Sequence, residues 1–300
     1  MSELVLTYGA GGVQGAPVAH GLLQQGYRVR AMVRSLDKNE ALNRAGAELV
    51  QGDLADPESV RRATEGVDKV FLMLPFSGGG NPLEYARNAI QAASDASVKL
   101  LVLNTSGQTP KAETGLPMMD YRIHLEAMLR ASGVPNVILR PTAYMENFLG
   151  PWVLPRLQAE NVVAYPVGAA RPTSWIAAQD LGRFAVAALG RPDLAGQAFD
   201  LGGPEALTGA DIARSFSRGL GREIRYESIS PQAFGAIMGR VMGPEAEAGI
   251  VAAYSAGEAA PQDAMMVDMK EVLGQLPVQQ TTLEAWVREH AEVLAAPLAH

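Results

Sequence analysis

Leu4-Val5-Leu6-Thr7-Tyr8-Gly9-Ala10-Gly11-Gly12-Val13-Gln14-Gly15 stands almost at the start of the chain, and Ala16 to Gln25 follows it with the pattern of a helix that Gly26 stops. Strand, glycine turn and helix in that order suit a pyrophosphate. Glycines admit a tight turn and close backbone approach, and a helix N-terminus offers free N–H groups at the positive end of its dipole. A dinucleotide is therefore expected against Gly9, Gly12, Val13, Gln14 and Gly15. The spacing is Gly-x-x-Gly-x-x-Gly; a Gly-x-Gly-x-x-Gly begun at Gly9 and Gly11 would need glycine where Gln14 stands. An ordinary strand-to-helix turn also uses glycine, so context carries the reading. Tyr27 to Arg34 supplies it, alternating as a second strand and completing a β-α-β unit.

At the end of that second strand an acid would bond a ribose 2′-OH, whereas an arginine suits a 2′-phosphate. Arg34 holds the position, with Lys38 close behind, so NADP(H) is expected over NAD(H); a solvated strand-end charge is the alternative. Leu49 to Leu54 reads as a third short strand and turn, with Asp53 either at the adenine edge or simply forming the turn. Asp56-Pro57-Glu58 starts a helix, with an N-cap, a first-turn proline and an acid near the dipole's positive end. Val67 to Pro75 is an almost unbroken apolar run, as in a parallel strand covered on both faces. Pro75 to Pro82 is expected to be a flexible loop, Leu83 to Ala96 a helix and Lys99 to Asn104 a further buried strand.

Strands alternating with helices imply an α/β fold with a doubly wound parallel sheet, which binds ligands at the carboxyl ends of its strands. Leu54, Leu74, Pro75 and Asn104 sit at those ends and join the expected cofactor contacts. Asp120 to Ser132 reads as a helix and Asn136 to Arg140 as a strand broken by Pro141. Ser106 either orients a substrate or satisfies a strand end. No Gly-x-Ser-x-Gly elbow supports acyl transfer.

The 300 residues, 48% hydrophobic, suffice for one large or two modest cores. There is no run long enough to span a bilayer and no signal-peptide pattern, so a soluble cytoplasmic protein is expected, without membrane association. With no cysteine, disulfides, thiolate nucleophiles and zinc–sulfur sites are excluded, and the 4 histidines are too scattered for a metal cluster. A net charge of -7 disfavours nucleic acid as a partner.

The glycine turn, Val29 to Arg34, Gly52-Asp53-Leu54, Leu139-Arg140-Pro141 through Met145-Glu146-Asn147-Phe148, Gln179 to Gly182, and Leu201 to Pro204 through Leu220 to Arg222 occur in a particular order. In that order they resemble the NmrA-like branch of the atypical short-chain dehydrogenases along most of the chain. The resemblance implies an NADP(H)-binding Rossmann domain at 1–150 and a smaller C-terminal α/β substrate region at 151–300, some of whose segments return to the Rossmann sheet. It also implies two kinds of member: reductases of quinones or other small carbonyl-like acceptors, and proteins that only sense nucleotide. Relatives with full short-chain dehydrogenase chemistry carry Tyr-x-x-x-Lys on the helix after the Ser106 loop. With Glu126 setting the register, Arg122 takes the lysine place, and a cofactor contact with it, while Met118 takes the tyrosine place. Tyr121 and His124 remain as candidate catalytic residues, although Leu125 stands four positions after Tyr121. A tyrosine needs a cation beside it to lower its pKa of about 10. His124 could donate a proton at physiological pH, although a lone helix histidine is more often structural.

The second half carries fewer signals. Asp180 is expected to cap a helix ending at Gly190, and Thr208 with Asp211 another ending at Gly221. Phe234, Ile237, Met238, Val241, Met242, Met265, Met266 and Met269 either line an apolar pocket for a flat acceptor or pack a core. Gly249 to Pro261, rich in alanine and glycine, is expected to be the most mobile stretch. Two functions follow: NADPH-dependent reduction of a small apolar acceptor such as a quinone, or NADP(H) sensing without turnover. The oligomeric state is not readable from these features.

Overall fold

The computed structural model describes residues 2–75 and 80–296. Seven parallel strands form the main sheet in the order β3-β2-β1-β4-β5-β6-β8. They are β1 (Leu4–Tyr8), β2 (Arg28–Val33), β3 (Glu48–Gln51), β4 (Lys69–Met73), β5 (Leu100–Asn104), β6 (Asn136–Pro141) and β8 (Ala198–Leu201). β7 (Val162–Tyr165) and β9 (Arg225–Ser228) pair in a separate parallel ribbon. The chain winds outward from β1 to β3, then returns to β4 on the other side of β1, where Leu6 faces Val70. That reversal opens a crevice over the carboxyl ends of β1 and β4.

Side chains of β1 and β5 alternate between the sheet's two faces, because strand residues point to opposite sides in turn. Val5, Leu100 and Val102 pack under α1 (Gly15–Gln24), α2 (Glu40–Arg44), α7 (Ala178–Leu189) and α11 (Lys270–Gln275). Leu4, Leu6, Leu101 and Leu103 meet α3 (Pro57–Thr64), α4 (Pro82–Asp95) and α5 (Pro117–Ala131). A third core joins β7 to α6 (Leu154–Glu160), α8 (Gly209–Leu220), α9 (Pro231–Met242), α10 (Pro244–Ala259), α12 (Leu283–Glu289) and α13 (Ala291–Ala295). Among the described residues no helix is long and apolar enough to cross a membrane.

Asp56 caps α3 and Ser230 caps α9 by accepting backbone N–H bonds, and Thr208 with Asp211 forms a reciprocal box on α8. Asp180 differs from expectation. It lies inside the first turn of α7, fully buried, and its carboxylate accepts from Thr281 N and Oγ1 and from Arg183, tying the C-terminal segment to the helix. Gly249 to Ala259, most of the alanine- and glycine-rich stretch, is helical, within α10, which packs against α9 in the third core. Of the expected Pro75 to Pro82 loop, residues 76–79 lie outside the described residues.

Candidate functional site

The glycine turn is built by close approach. Gly9 has φ +72°, the left-handed region that glycine tolerates, and its carbonyl accepts Gly12 N–H at 3.0 Å. A Cβ on Gly15 would lie 2.2 Å from Gly9 O, so nothing larger than glycine lets α1 start this close to β1. Gln14, the residue before α1, makes no side-chain cap, and no acid sits in the first turn. The positive end of the helix dipole therefore faces the crevice without a carboxylate of its own. A Cβ on Gly11 would lie 2.2 Å from Asn39 Oδ1; Asn39 also donates to Ser35 O at 2.7 Å. The segment carrying Arg34 and Lys38 is thus held against the turn. Both cations are exposed and have no ion pair among the described residues.

A polar network links the turn to β5 and β6. Gln14 Oε1 accepts from Asn104 Nδ2 at 2.9 Å and from Ser106 Oγ at 3.0 Å. Asn104 Oδ1 accepts Ser106 N–H at 2.9 Å and holds Ser106 at φ +56°. Asn104 also lies 3.3 Å from the Tyr144 hydroxyl. Burial drives the Tyr144 pKa far above its ordinary value against the opposing pull of Asn104, so this phenol stays neutral. Arg122 donates to Thr105 O at 3.1 Å and Met118 O at 3.2 Å, and its guanidinium lies 4.8 Å from the centre of the Tyr121 ring.

Beside this network is an apolar cavity of about 240 Å³, lined by Leu74 and Pro75 after β4, Pro82, Pro117, Met118 and Tyr121 of α4 and α5, and Met242, Ala246 and Ile250 of α9 and α10. Tyr121 is the one polar side chain in that lining among the described residues.

Gly9, Gly12, Gly15, Gln14, Asn104 and Arg122 surround the strand ends, and Leu74, Pro75 and Tyr121 face the cavity. Val13 is exposed on the turn, 65% accessible, and Leu54 is buried under the second face of the sheet. Asp53 is exposed and forms the turn, its Oδ1 accepting Ala55 N–H at 2.9 Å. His124 is exposed and lies 3.7 Å from Glu113, outside the cavity lining. Of the methionine group, Met242 alone lines the cavity. Phe234 and Met238 belong to the third core, Met269 to the first, and Met266 is exposed. Sequence reasoning missed Tyr144 and Met118 as parts of the site. Tyr144 follows Pro141 at the end of a strand, the one signal that could have found it.

Glycine turn, sheet reversal and crevice together define a Rossmann-like α/β fold of the kind that binds nucleotides. The chain belongs to the NmrA-like family, whose model matches residues 1–287. It is 31% identical over 228 residues to an NAD(P)H azoreductase of Xenophilus azovorans, covering 76% of this chain and 77% of that one. It is also 31% identical over 298 residues to a (4-alkanoyl-5-oxo-2,5-dihydrofuran-3-yl)methyl phosphate reductase of Streptomyces griseus, covering 97% and 99%. Among solved structures, an NADPH-dependent quinone oxidoreductase of Escherichia coli complexed with NADPH shares the fold, with a TM-score of 0.75, 24% identity and coverage of 95% of this chain and 99% of that one.

Proposed function

We propose that the protein is an NADPH-dependent reductase of a small, planar, uncharged acceptor such as a quinone. The observation that carries this is the apolar cavity opening at the end of β4, beside a glycine turn fit for a dinucleotide. The fit rests on the Gly15 approach, the uncapped start of α1 and the cations Arg34 and Lys38, exposed and without an ion pair among the described residues, which would hold pyrophosphate and 2′-phosphate. Two reductases among the relatives, one of them using NAD(P)H by name, support the reading.

NADPH, when bound, supplies a hydride to the acceptor. The protein's part is to seat the acceptor in the cavity, exclude water with its apolar lining and provide a proton. Tyr121 is the candidate for that last role, because it is the one polar side chain in the cavity lining among the described residues, with the Arg122 guanidinium stacked 4.8 Å from its ring centre. Gln14, Asn104 and Tyr144, linked by hydrogen bonds at the strand ends, would help hold the cofactor. The test is NADPH consumption with a quinone panel, followed by absorbance. Consumption above background is expected; none across the panel overturns the reading.

A second reading, a sensor that binds NADP(H) without turnover, is favoured by Met118 and Arg122 at the Tyr and Lys places. It requires tight binding of both cofactor forms by calorimetry together with a negative turnover assay.

A further inference from the structure

Ala246 and Ile250 of α10 line the cavity, and Gly249 lies between them in sequence. A Cβ built on Gly249 would sit 2.6 Å from Met118 Cε and 3.7 Å from Met118 Sδ. Met118, itself part of the lining, therefore lies against bare helix backbone in space that any side chain at 249 would claim. The backbone there is helical and has no need of glycine for its conformation; the space has.

α10 has little room to retreat. Its partner α9 approaches through two more glycines, where a Cβ at Gly235 would lie 2.3 Å from Val251 Cγ2 and one at Gly239 would lie 2.5 Å from Glu247 Oε2. Between a closely packed helix pair and an unbranched thioether with several rotatable bonds, the thioether yields. Met118, Ala246 and Ile250 line the same cavity, so a side chain at 249 that displaces the thioether reshapes the space left for the acceptor.

Resting on the reductase reading, we infer that Gly249 and Met118 form a size gate that admits an uncharged acceptor of two fused rings. Gly249 sets the width, and the Met118 thioether covers one face of the ring, a contact that sulfur and aromatic groups favour. A cavity of about 240 Å³ is small for a ligand pocket, so loss of a methyl-sized volume falls first on the larger acceptor.

The test uses Gly249→Ala, Gly249→Leu, Met118→Ala and the double variant Gly249→Leu/Met118→Ala, with 1,4-benzoquinone and 2-methyl-1,4-naphthoquinone as acceptors. Alanine and leucine are strong helix formers, so these variants keep α10, which circular dichroism checks. Gly249→Leu should raise KM for the naphthoquinone at least tenfold more than for the benzoquinone, with Gly249→Ala between and NADPH affinity unchanged. The double variant should recover the wild-type ratio. An unchanged ratio in folded Gly249→Leu overturns the gate.

If the wild type oxidises no NADPH across the quinone panel, these two included, the reductase reading fails, and the gate is read by binding instead. With ¹³C-methyl methionine, the Met118 resonance, assigned by its loss in Met118→Ala, should shift on titration with the naphthoquinone and should not shift in Gly249→Leu. No shift in the wild type, or the same shift in the variant, overturns it.

Discussion

At Gly15 a single methyl group has nowhere to go, since the nearest atom is a backbone oxygen that cannot rotate away. Gly15→Ala should cost about 1–3 kcal/mol in chemical denaturation, the usual range for overpacking, and should weaken dinucleotide binding as α1 is pushed from β1. Arg34 acts differently, on the ligand and not on the fold. If it clasps a 2′-phosphate, Arg34→Ala loses roughly 1.5–3 kcal/mol of NADPH affinity, the scale of hydrogen bonds to charged groups. NADH affinity should stay the same. Dissociation constants for both cofactors decide it, and an unchanged ratio makes Arg34 a solvated strand-end charge. Tyr121→Phe should lower kcat by roughly 10-fold or more with acceptors that need a proton in the transition state, while leaving NADPH affinity alone; equal kcat would remove Tyr121 from the chemistry.

Between elements, two carboxylates repay attention. Glu126 of α5, only 7% exposed, holds Arg140 of β6 through two bonds of 2.7 and 2.6 Å. Burial raises its pKa, but the Arg140 fork and its other partners outweigh that and leave it below the ordinary range. Its place in this ion pair makes Glu126 a brace for the helix that carries Met118, Tyr121 and Arg122. Glu146, just after Tyr144, accepts Ala178 N–H at 3.0 Å at the start of α7 and Trp286 Nε1–H at 3.1 Å from α12. Burial raises its pKa. An acid raised in the folded state contributes its full stability below its unfolded value, about 4.3, and loses it as pH rises toward the folded value. Wild type should therefore lose ground to Glu146→Gln as pH climbs above about 4.3, measured by urea denaturation across pH. A pH-independent difference would show that Glu146 does not titrate in that window. The first β-α-β unit was legible because each of its signals is local: apolar run, glycine turn, stop glycine, alternating strand. Tyr144 was not, since it reaches Asn104 only after β6 pairs beside β5. The helix over 249–259 was not legible, because a stretch rich in alanine and glycine shows no apolar stripe, and its close packing on α9 at Gly235 and Gly239 is visible only in the fold.

For the molecule as a whole, α/β class, parallel sheet and family could be read from order alone, while the cavity could not, because it is assembled from β4, α4, α5, α9 and α10, elements far apart in sequence. The late arrival of β8 bears on how the protein is made. On the ribosome, the outer edge of β6 stays unpaired until Ala198–Leu201 emerges, and the apolar undersides of β5 and β6 wait for α7. A nascent chain of 150 residues therefore carries an open strand edge and an uncovered sheet face, both prone to sticking. A 1–150 fragment should aggregate or bind hydrophobic dye where the full chain does not, and a cooperative unfolding transition from that fragment would refute this. Closure of the sheet edge thus waits for Ala198–Leu201, and full cover of that face waits longer, for Val272 and Leu276 around α11.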